Sequence, residues 1–333
     1  MQNPQDFIRD FKARLFETTP KNFEQRALEA FRFQAKHNAV YQQFISYLGV
    51  EPQCVNNVPQ IPFMPIEFFK NHRVLSTHAP IEQIFESSGT TGQVRSKHFV
   101  TDTAFYLRTC EQIFQQHYGK LSDFTFLALL PSYLERDGSS LVCMMDYFIQ
   151  KGAEYSGFYL HNIDELILNL KAAKYAGKKV MLWGVTFALL DLAEQHDLDL
   201  EGVIVVETGG MKGRRQEMIR EELHAFLCRK FHISTIHSEY GMTELFSQGY
   251  SAGNGIFTTP PWLKILLRDP NDPFDMNISR KRGGINVVDL ANIDSCCFIE
   301  TKDMGEYDQN LTFRVLGRLD NSDVRGCNLM LYF

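Results

Sequence analysis

No stretch of this 333-residue sequence stays apolar over the ~18 residues that a membrane-crossing helix needs. The N-terminus, MQNPQDFIRDFKARLF, carries acids and lacks an apolar core segment, which argues against a secretory signal peptide. Low-complexity tracts and internal repeats are absent. The seven cysteines (Cys54, Cys110, Cys143, Cys228, Cys296, Cys297, Cys327) are odd in number and never spaced C-x-x-C. That pattern fits a reducing compartment rather than a disulfide framework, so a cytoplasmic location is expected. The histidines show no metal-ligand spacing, and a structural zinc is not expected. Positive charge is not in excess either. With 34 Lys and Arg against 40 Asp and Glu, the net charge is −6 and the pI near 5.9, which speaks against a general nucleic-acid footprint.

Apolar residues, in contrast, make up 44% of the chain, and 27 of them are phenylalanine. A chain of this length buries a large core, as one large domain plus a smaller one. The phenylalanines and 183-WGVTFALL-190 suggest an apolar pocket, although core packing uses the same residues. The first part, 1–58, reads as helical: Leu28, Phe31, Ala35, Tyr41, Phe44 and Leu48 recur at roughly helical spacing. A proline-punctuated link, 58-VPQIPFMPIEFFK-70, leads into an α/β core over 59–256. There Asn162 is placed to cap a helix from Ile163 to about Ala176, with Glu165 completing a capping box. A strand at 179–183 follows, then a helix with Phe187, Leu190 and Ala193 inward, then a strand at 203–207. The helix from about Arg215 to Lys230 is expected to bury Ile219, Leu223, Phe226 and Leu227, and 233-ISTIH-237 reads as the next strand. This order predicts an α/β fold with a mostly parallel sheet, whose ligands sit at strand carboxyl ends. Residues 257–333 read as short strands with turns, a small β subdomain.

One stretch, 86-ESSGTTGQVRSKHF-99, sets hydroxyls and glycines ahead of Arg95, Lys97 and His98. It suits a turn in a strand–loop–strand hairpin, because Gly, Ser and Thr allow tight backbone geometry. A phosphate cradle competes with that plainer reading, with converging backbone N–H groups, hydroxyl donors and a cation. No Gly-Lys-Ser/Thr follows at the spacing of a Walker A loop. Two further loops fall where the sheet would present them, ETGG at 207–210 and YGMTE at 240–244.

Taken together, SSGTTG (87–92) and YGMTE resemble the phosphate loop and the Tyr-Gly-x-Thr-Glu motif of the acyl-adenylate-forming superfamily. Downstream, 302-KDMGE-306 is similar to its ribose-binding Asp segment and 317-GRLDNSDVRG-326 to its Gly-Arg-x-Asp hinge. Within that superfamily, 60-QIPFMPIEFFK-70, 130-LPSYLERDGSSLV-142 and 260-PPWLKILLRDP-270 look most like the bacterial acyl-protein synthetases of LuxE type. The resemblance runs from about residue 60 to the end. It implies a large adenylate-forming fold of the N-terminal-domain type, and ATP-dependent activation of a fatty or aryl carboxylic acid as acyl-AMP.

The resemblance also implies site residues. Ser87, Ser88, Gly89, Thr90, Thr91 and Gly92 would hold pyrophosphate, with Arg95 or Lys97 as the nearby cation. Glu244 would help hold Mg²⁺, whose usual shell is a carboxylate plus phosphate oxygens. Thr243 would contact the α-phosphate, and Tyr240, followed by Gly241 and Met242, would offer a flat face to adenine beside Gly209 and Gly210. Asp303 would accept from the ribose hydroxyls with Arg318 assisting. Taken singly, each of these has a plainer reading: a packed tyrosine, a solvated carboxylate, a turn aspartate, a salt-bridge arginine. His237 is read as a satisfied core residue rather than a catalytic one.

Two departures from the family pattern stand out. The loop continues QVRSK where relatives place Pro-Lys, which leaves the cation open between Arg95 and Lys97. The sequence stops at Phe333, about where larger relatives begin a mobile C-terminal domain carrying the adenylation lysine, so that domain is expected to be absent. In 325-RGCNLMLYF-333, Cys327 matches the cysteine that takes the acyl group as a thioester in LuxE-type proteins; the plainer reading is a final strand with a buried thiol. From Gly317 an extended arm would carry Cys327 over roughly 30 Å, at about 3.3 Å per residue. The expected acceptor beyond Cys327 is a partner protein, a reductase or a carrier protein. Alternatives are a ligase delivering to coenzyme A or carrier phosphopantetheine, and a non-catalytic nucleotide-binding relative.

Overall fold

The computed structural model describes residues 3–88, 94–130, 138–159, 162–209, 218–276, 279–308 and 312–319. Three helices come first. Asn3 caps α1 (Pro4–Ala13) by accepting from the Gln5 N–H at 3.1 Å, and Pro4 takes the first helical position, where its missing N–H leaves nothing unpaired. Asn38 then breaks the helical pattern of 24–48 in two. Its extended backbone, at φ −98°, ends α2 (Phe23–His37), and its side chain accepts from the Tyr41 N–H to start α3 (Ala39–Tyr47).

These helices are fastened to a turn near the other end of the chain, the 3₁₀ segment Leu290–Asn292 and the residues after it. The buried Gln34 amide faces the carbonyls of Asn292, Ile293 and Ser295, its Nε2 lying 3.0 Å from the first, and accepts from the Cys297 N–H at 2.9 Å. Asn38 donates to the Ser295 carbonyl at 2.8 Å. The buried Lys12 ammonium lies between Asp294 at 2.6 Å and Asp102 at 2.9 Å, so its charge is compensated where water is excluded.

β1 (Met64–Pro65) and the single turn α4 (Phe68–Asn71) lead to an antiparallel hairpin, β2 (Gln83–Glu86) and β3 (Lys97–Val100). Strand and helix then alternate: α5 (Thr103–Tyr118), β4 (Phe124–Leu129), α6 (Ser140–Lys151), β5 (Gly157–Phe158), α7 (Ile163–Tyr175), β6 (Lys179–Val185), α8 (Thr186–Gln195), β7 (Ile204–Thr208), α9 (Arg220–Phe231) and β8 (His237–Tyr240). With β9 (Gly249–Ser251) they form a six-stranded sheet in the order β5-β4-β6-β7-β8-β9, parallel except for β9. β4 is buried at every residue, the continuous apolar run of a parallel strand covered on both faces. A second sheet is the antiparallel series β10 (Leu263–Arg268), β11 (Arg282–Asp289), β12 (Phe298–Tyr307) and β13 (Phe313–Arg318), joined by β1 running parallel to β12. One hydrophobic cluster runs from Ile8 to Phe313, with Trp183 and Trp262 fully buried. No helix among the described residues is long and apolar enough to cross a membrane.

The mixed α/β character and the parallel sheet agree with the sequence, and Phe187, Leu190 and Ala193 of α8 face inward as expected. Some local expectations shift. Asn162 makes no capping bond to the backbone; its amide donates to the Glu165 carboxylate at 2.7 Å instead. α9 begins only at Arg220, which leaves Ile219 exposed and turns Leu223, Leu227 and Phe231 inward at four-residue spacing. The strand expected at 233–237 starts at His237 instead. His232 ends α9 in the left-handed region at φ 54°, and residues 233–236 carry the chain back to the sheet. Tyr240 is therefore the last residue of β8 itself.

Candidate active site at the strand ends

The hairpin brings the first motif to the site. β2 and β3 pair from Gln83↔Val100 to Glu86↔Lys97, and the ladder continues outward, Ser87 N–H to the Ser96 carbonyl at 3.1 Å and Ser96 N–H to Ser87 Oγ at 3.0 Å. The strand–loop–strand reading thus holds for the flanks. Ser88 is the last described residue before the loop, and Gly89, Thr90, Thr91 and Gly92 lie outside the described residues.

Side chains alternate along β3 and split its residues between two surroundings. Lys97 and Arg95 each approach the Glu86 carboxylate at 3.6 Å, with half-exposed side chains. Ser96 and His98 are buried. His98 Nδ1 lies 3.0 Å from the Thr243 carbonyl and Nε2 3.0 Å from Ser295 Oγ. A carbonyl only accepts, so Nδ1 carries the proton and donates to Thr243, and Nε2 accepts from the Ser295 hydroxyl. Burial pushes the His98 pKa down to about 4, and the ring is neutral at physiological pH. Its faces and edges are filled by Phe69, at 5.6 Å, and Phe246, at 4.9 Å.

The second motif leaves the end of β8. The Tyr240 ring meets Phe257 and Phe313 edge-on, and its hydroxyl donates to Asp303 Oδ2 at 2.9 Å. Gly241 packs tightly over its neighbour: a Cβ there would lie 3.1 Å from Glu239 Oε1. Glu239 accepts from the Thr208 hydroxyl at 2.8 Å, and burial pushes its carboxyl up to about 7. Met242 and Thr243 are half-buried, and the turn closes through Leu245 N–H to the Met242 carbonyl at 3.1 Å.

Glu244 is buried, and burial raises its pKa. It accepts from the Ser96 side chain and its own N–H, which favour the charged form, as does the nearby Lys70 ammonium. Its backbone carbonyl accepts from Asn292 Nδ2 at 2.8 Å. Two and three residues on, the chain is anchored by the buried Asp289 carboxylate, which accepts from the Phe246 and Ser247 N–H groups at 3.0 and 2.9 Å.

The remaining predicted residues come from neighbouring strands. Asp303 on β12 lies directly opposite Arg318 on β13. Burial raises its pKa, while the Tyr240 hydroxyl and the Arg318 charge pull it back. Gly209 follows β7, the strand beside β8, and its φ of +73° is a backbone state that favours glycine. The Thr186 hydroxyl reaches its carbonyl at 3.1 Å. Gly210 and Cys327 lie outside the described residues.

Tyr240, Asp303 and Arg318 therefore meet in one place, and Thr243 and Glu244 meet Ser96 and His98 at the root of the first loop. Sequence reasoning missed His98, Ser295, Asn292 and Lys70. His98 stood in the quoted stretch, and the alternation of β3 was the signal that it points inward.

The fold is shared with adenylate-forming enzymes. ATP-bound MatB from Rhodopseudomonas palustris matches with a TM-score of 0.52 at 16% identity, over 71% of this chain and 47% of that one, so this chain spans about half the length of that protein. An open conformation of 2-hydroxyisobutyryl-CoA ligase, in complex with 2-HIB-AMP and CoA, matches with a TM-score of 0.66 at 12% identity, over 91% of this chain and 72% of that one. The same ligase in its thioesterification state gives 0.65 at 12% identity, over 93% and 71%. No curated protein sequence matches the chain. The model of the acyl-protein synthetase family, LuxE, matches residues 12–332, and the chain belongs to that family.

Proposed function

We propose that this protein activates a carboxylic acid with ATP and passes the acyl group to a thiol. The observation that carries the reading is the joint between Tyr240 and Asp303 beside the buried Glu244, two motifs far apart in sequence gathered at the carboxyl end of β8. Nucleotide and metal both fit the residues present. Glu244 is a carboxylate kept from water with a hydroxyl donor on it, a setting that a divalent cation relieves. Asp303 has one oxygen engaged by Tyr240, which leaves the other for ribose hydroxyls, with Arg318 opposite. The hydroxyl bond fixes the Tyr240 ring against which adenine would lie.

A carboxylate is a weak electrophile because its charge is shared by both oxygens. In the proposed reaction one carboxylate oxygen attacks the α-phosphorus of ATP, the bond to pyrophosphate breaks, and an acyl adenylate forms. A thiolate then attacks the acyl carbon, AMP leaves, and a thioester remains. Ser87, Ser88 and the loop Gly89–Gly92 would bind pyrophosphate, and Thr243 the α-phosphate. Mg²⁺ held at Glu244 would draw charge from the phosphate oxygens. The turn carrying Thr243 is rigid because neutral His98 holds its carbonyl, so these donors need little reorganisation when charge develops. Cys327 is the proposed thiol, with a partner reductase or carrier protein as the acceptor beyond it.

A second reading delivers the acyl group to coenzyme A; it is favoured by the fold shared with a ligase bound to CoA. The test is acid-dependent ATP–pyrophosphate exchange with a panel of fatty and aryl acids and Mg²⁺. Exchange with one class of acid supports activation, and none with any acid overturns it. Cys327→Ser separates the acceptors: retained exchange with lost protein thioester supports Cys327, and undiminished acyl-CoA formation supports coenzyme A.

A further inference from the structure

Acid activation brings an anionic carboxylate against an anionic triphosphate, next to a carboxylate of the protein. Such a site needs a cation from the chain itself besides any metal ion. The cations nearest in sequence are Arg95 and Lys97, and the hairpin turns both elsewhere. Lys97 stands opposite Glu86 in the ladder, and both side chains approach that carboxylate at 3.6 Å. The opposite face, through Ser96 and His98, meets Glu244 and Thr243.

Beside His98 runs the segment that carries Lys70. That segment is tied down at two ends. At one end Met64 and Pro65 pair with Ile299 and Glu300, the Ile66 N–H donates to the Glu300 carbonyl at 3.0 Å, and Glu67 forms an ion pair with Lys302, the residue before Asp303. At the other end the buried Phe69 ring sits edge-on to His98 at 5.6 Å, and His98 holds Thr243. α4 thus bridges the Asp303 strand and the Thr243–Glu244 turn, with Lys70 next to Phe69 and exposed. Among the described residues Lys70 has no ion-pair partner.

We infer that Lys70 is the cation that binds the nucleotide's phosphate oxygens at this site and neutralises them during the carboxylate's attack. The inference rests on the ATP-dependent reading above and names a residue which that reading leaves open. The role suits an ammonium, a compact charge on a flexible stem. Rigidity comes from α4 and reach from the side chain.

The test uses the full chain with Lys70→Ala, Lys70→Met and Lys70→Arg. Calorimetry measures Mg-ATP and pyrophosphate binding, ATP–pyrophosphate exchange measures the chemistry, and thermal melting measures the fold. Lys70→Ala should bind Mg-ATP about tenfold more weakly and exchange about 10²-fold more slowly, with an unchanged melting temperature because the side chain is exposed. Lys70→Arg should keep most of the binding, and Lys70→Met none of the gain. Unchanged binding and exchange in Lys70→Ala overturn the inference. Rescue by Lys70→Met overturns it too, since the stem rather than the charge would then be acting. Wild-type protein that exchanges with no acid sinks the activation reading alone, and the binding measurements still decide the role of Lys70.

Discussion

The Tyr240 hydroxyl donates to Asp303 Oδ2 at 2.9 Å across 63 residues of sequence, joining the end of the parallel sheet to the antiparallel one. Asp303 is a carboxylate whose charge burial opposes, so this bond holds it ready to accept. Tyr240→Phe should leave it with one donor fewer. We expect a loss of roughly 1–3 kcal/mol in unfolding free energy, the cost of a buried group left unsatisfied, together with weaker Mg-ATP binding. Urea unfolding and calorimetry check the two. Normal nucleotide affinity in the variant would show that the hydroxyl bond does not position Asp303 for the nucleotide.

Glu244 sets stability against function. Burial works against its charge, and Asp303 adds repulsion. Glu244→Gln removes the charge and keeps the shape. Without nucleotide the variant should unfold later than wild type, by about 1 kcal/mol, while exchange falls at least 10²-fold and no longer responds to Mg²⁺ titration. A variant that is both less stable and fully active would show Glu244 to be a structural group.

Two buried groups oppose each other in their response to pH. The His98 pKa is pushed from 6.5 down to about 4, and that of Glu239 from 4.5 up to about 7, each first by burial. Between those limits the unfolded chain protonates His98 and the native one does not, so this group lowers stability as pH falls. The native Glu239 keeps a proton that the unfolded chain has released, so it lowers stability as pH rises toward 7. Each effect is on the order of 3 kcal/mol across its window, and in the wild type the two slopes offset one another. Relative to wild type, His98→Gln should lose stability as pH rises from about 4.5 to 6.5, and Glu239→Gln should gain it. Urea midpoints across that range give the slopes; slopes of the same sign in the two variants would contradict the assignment.

Much of this was legible in the residues because it depends on local chemistry. The strand at 179–183 and the inward face of α8 are properties of short windows. Tyr240, Asp303 and Arg318 were singled out by motif, and the fold does gather them. His98 and Lys70 were not legible as parts of the site. The importance of His98 depends on which face of β3 turns inward and on a carbonyl 145 positions away. Lys70 gains its place from a parallel pairing of two residues with β12, too short to leave a pattern. The β-branched stretch 233-ISTI-236 misled for a related reason: the left-handed turn at His232 delays the strand, and no propensity in those four residues records it.

The bonds from Gln34 to the turn after β11 have a consequence for how the chain is made. Its amide is satisfied by carbonyls and an N–H about 260 positions later, at separations of 258 to 263 residues. On the ribosome, α1 to α3 emerge well before that turn, with the apolar surfaces of Phe31 and Tyr41 uncovered, and wait for the whole six-stranded sheet to follow before they can dock there. Helices made before the sheet are thus seated only after it. The turn that receives them also carries Asn292, which holds Glu244, and Ser295, which holds His98. Activity should therefore emerge in one late step of synthesis, and a stalled nascent chain lacking that turn should be a target for chaperones and proteases rather than a partly working enzyme.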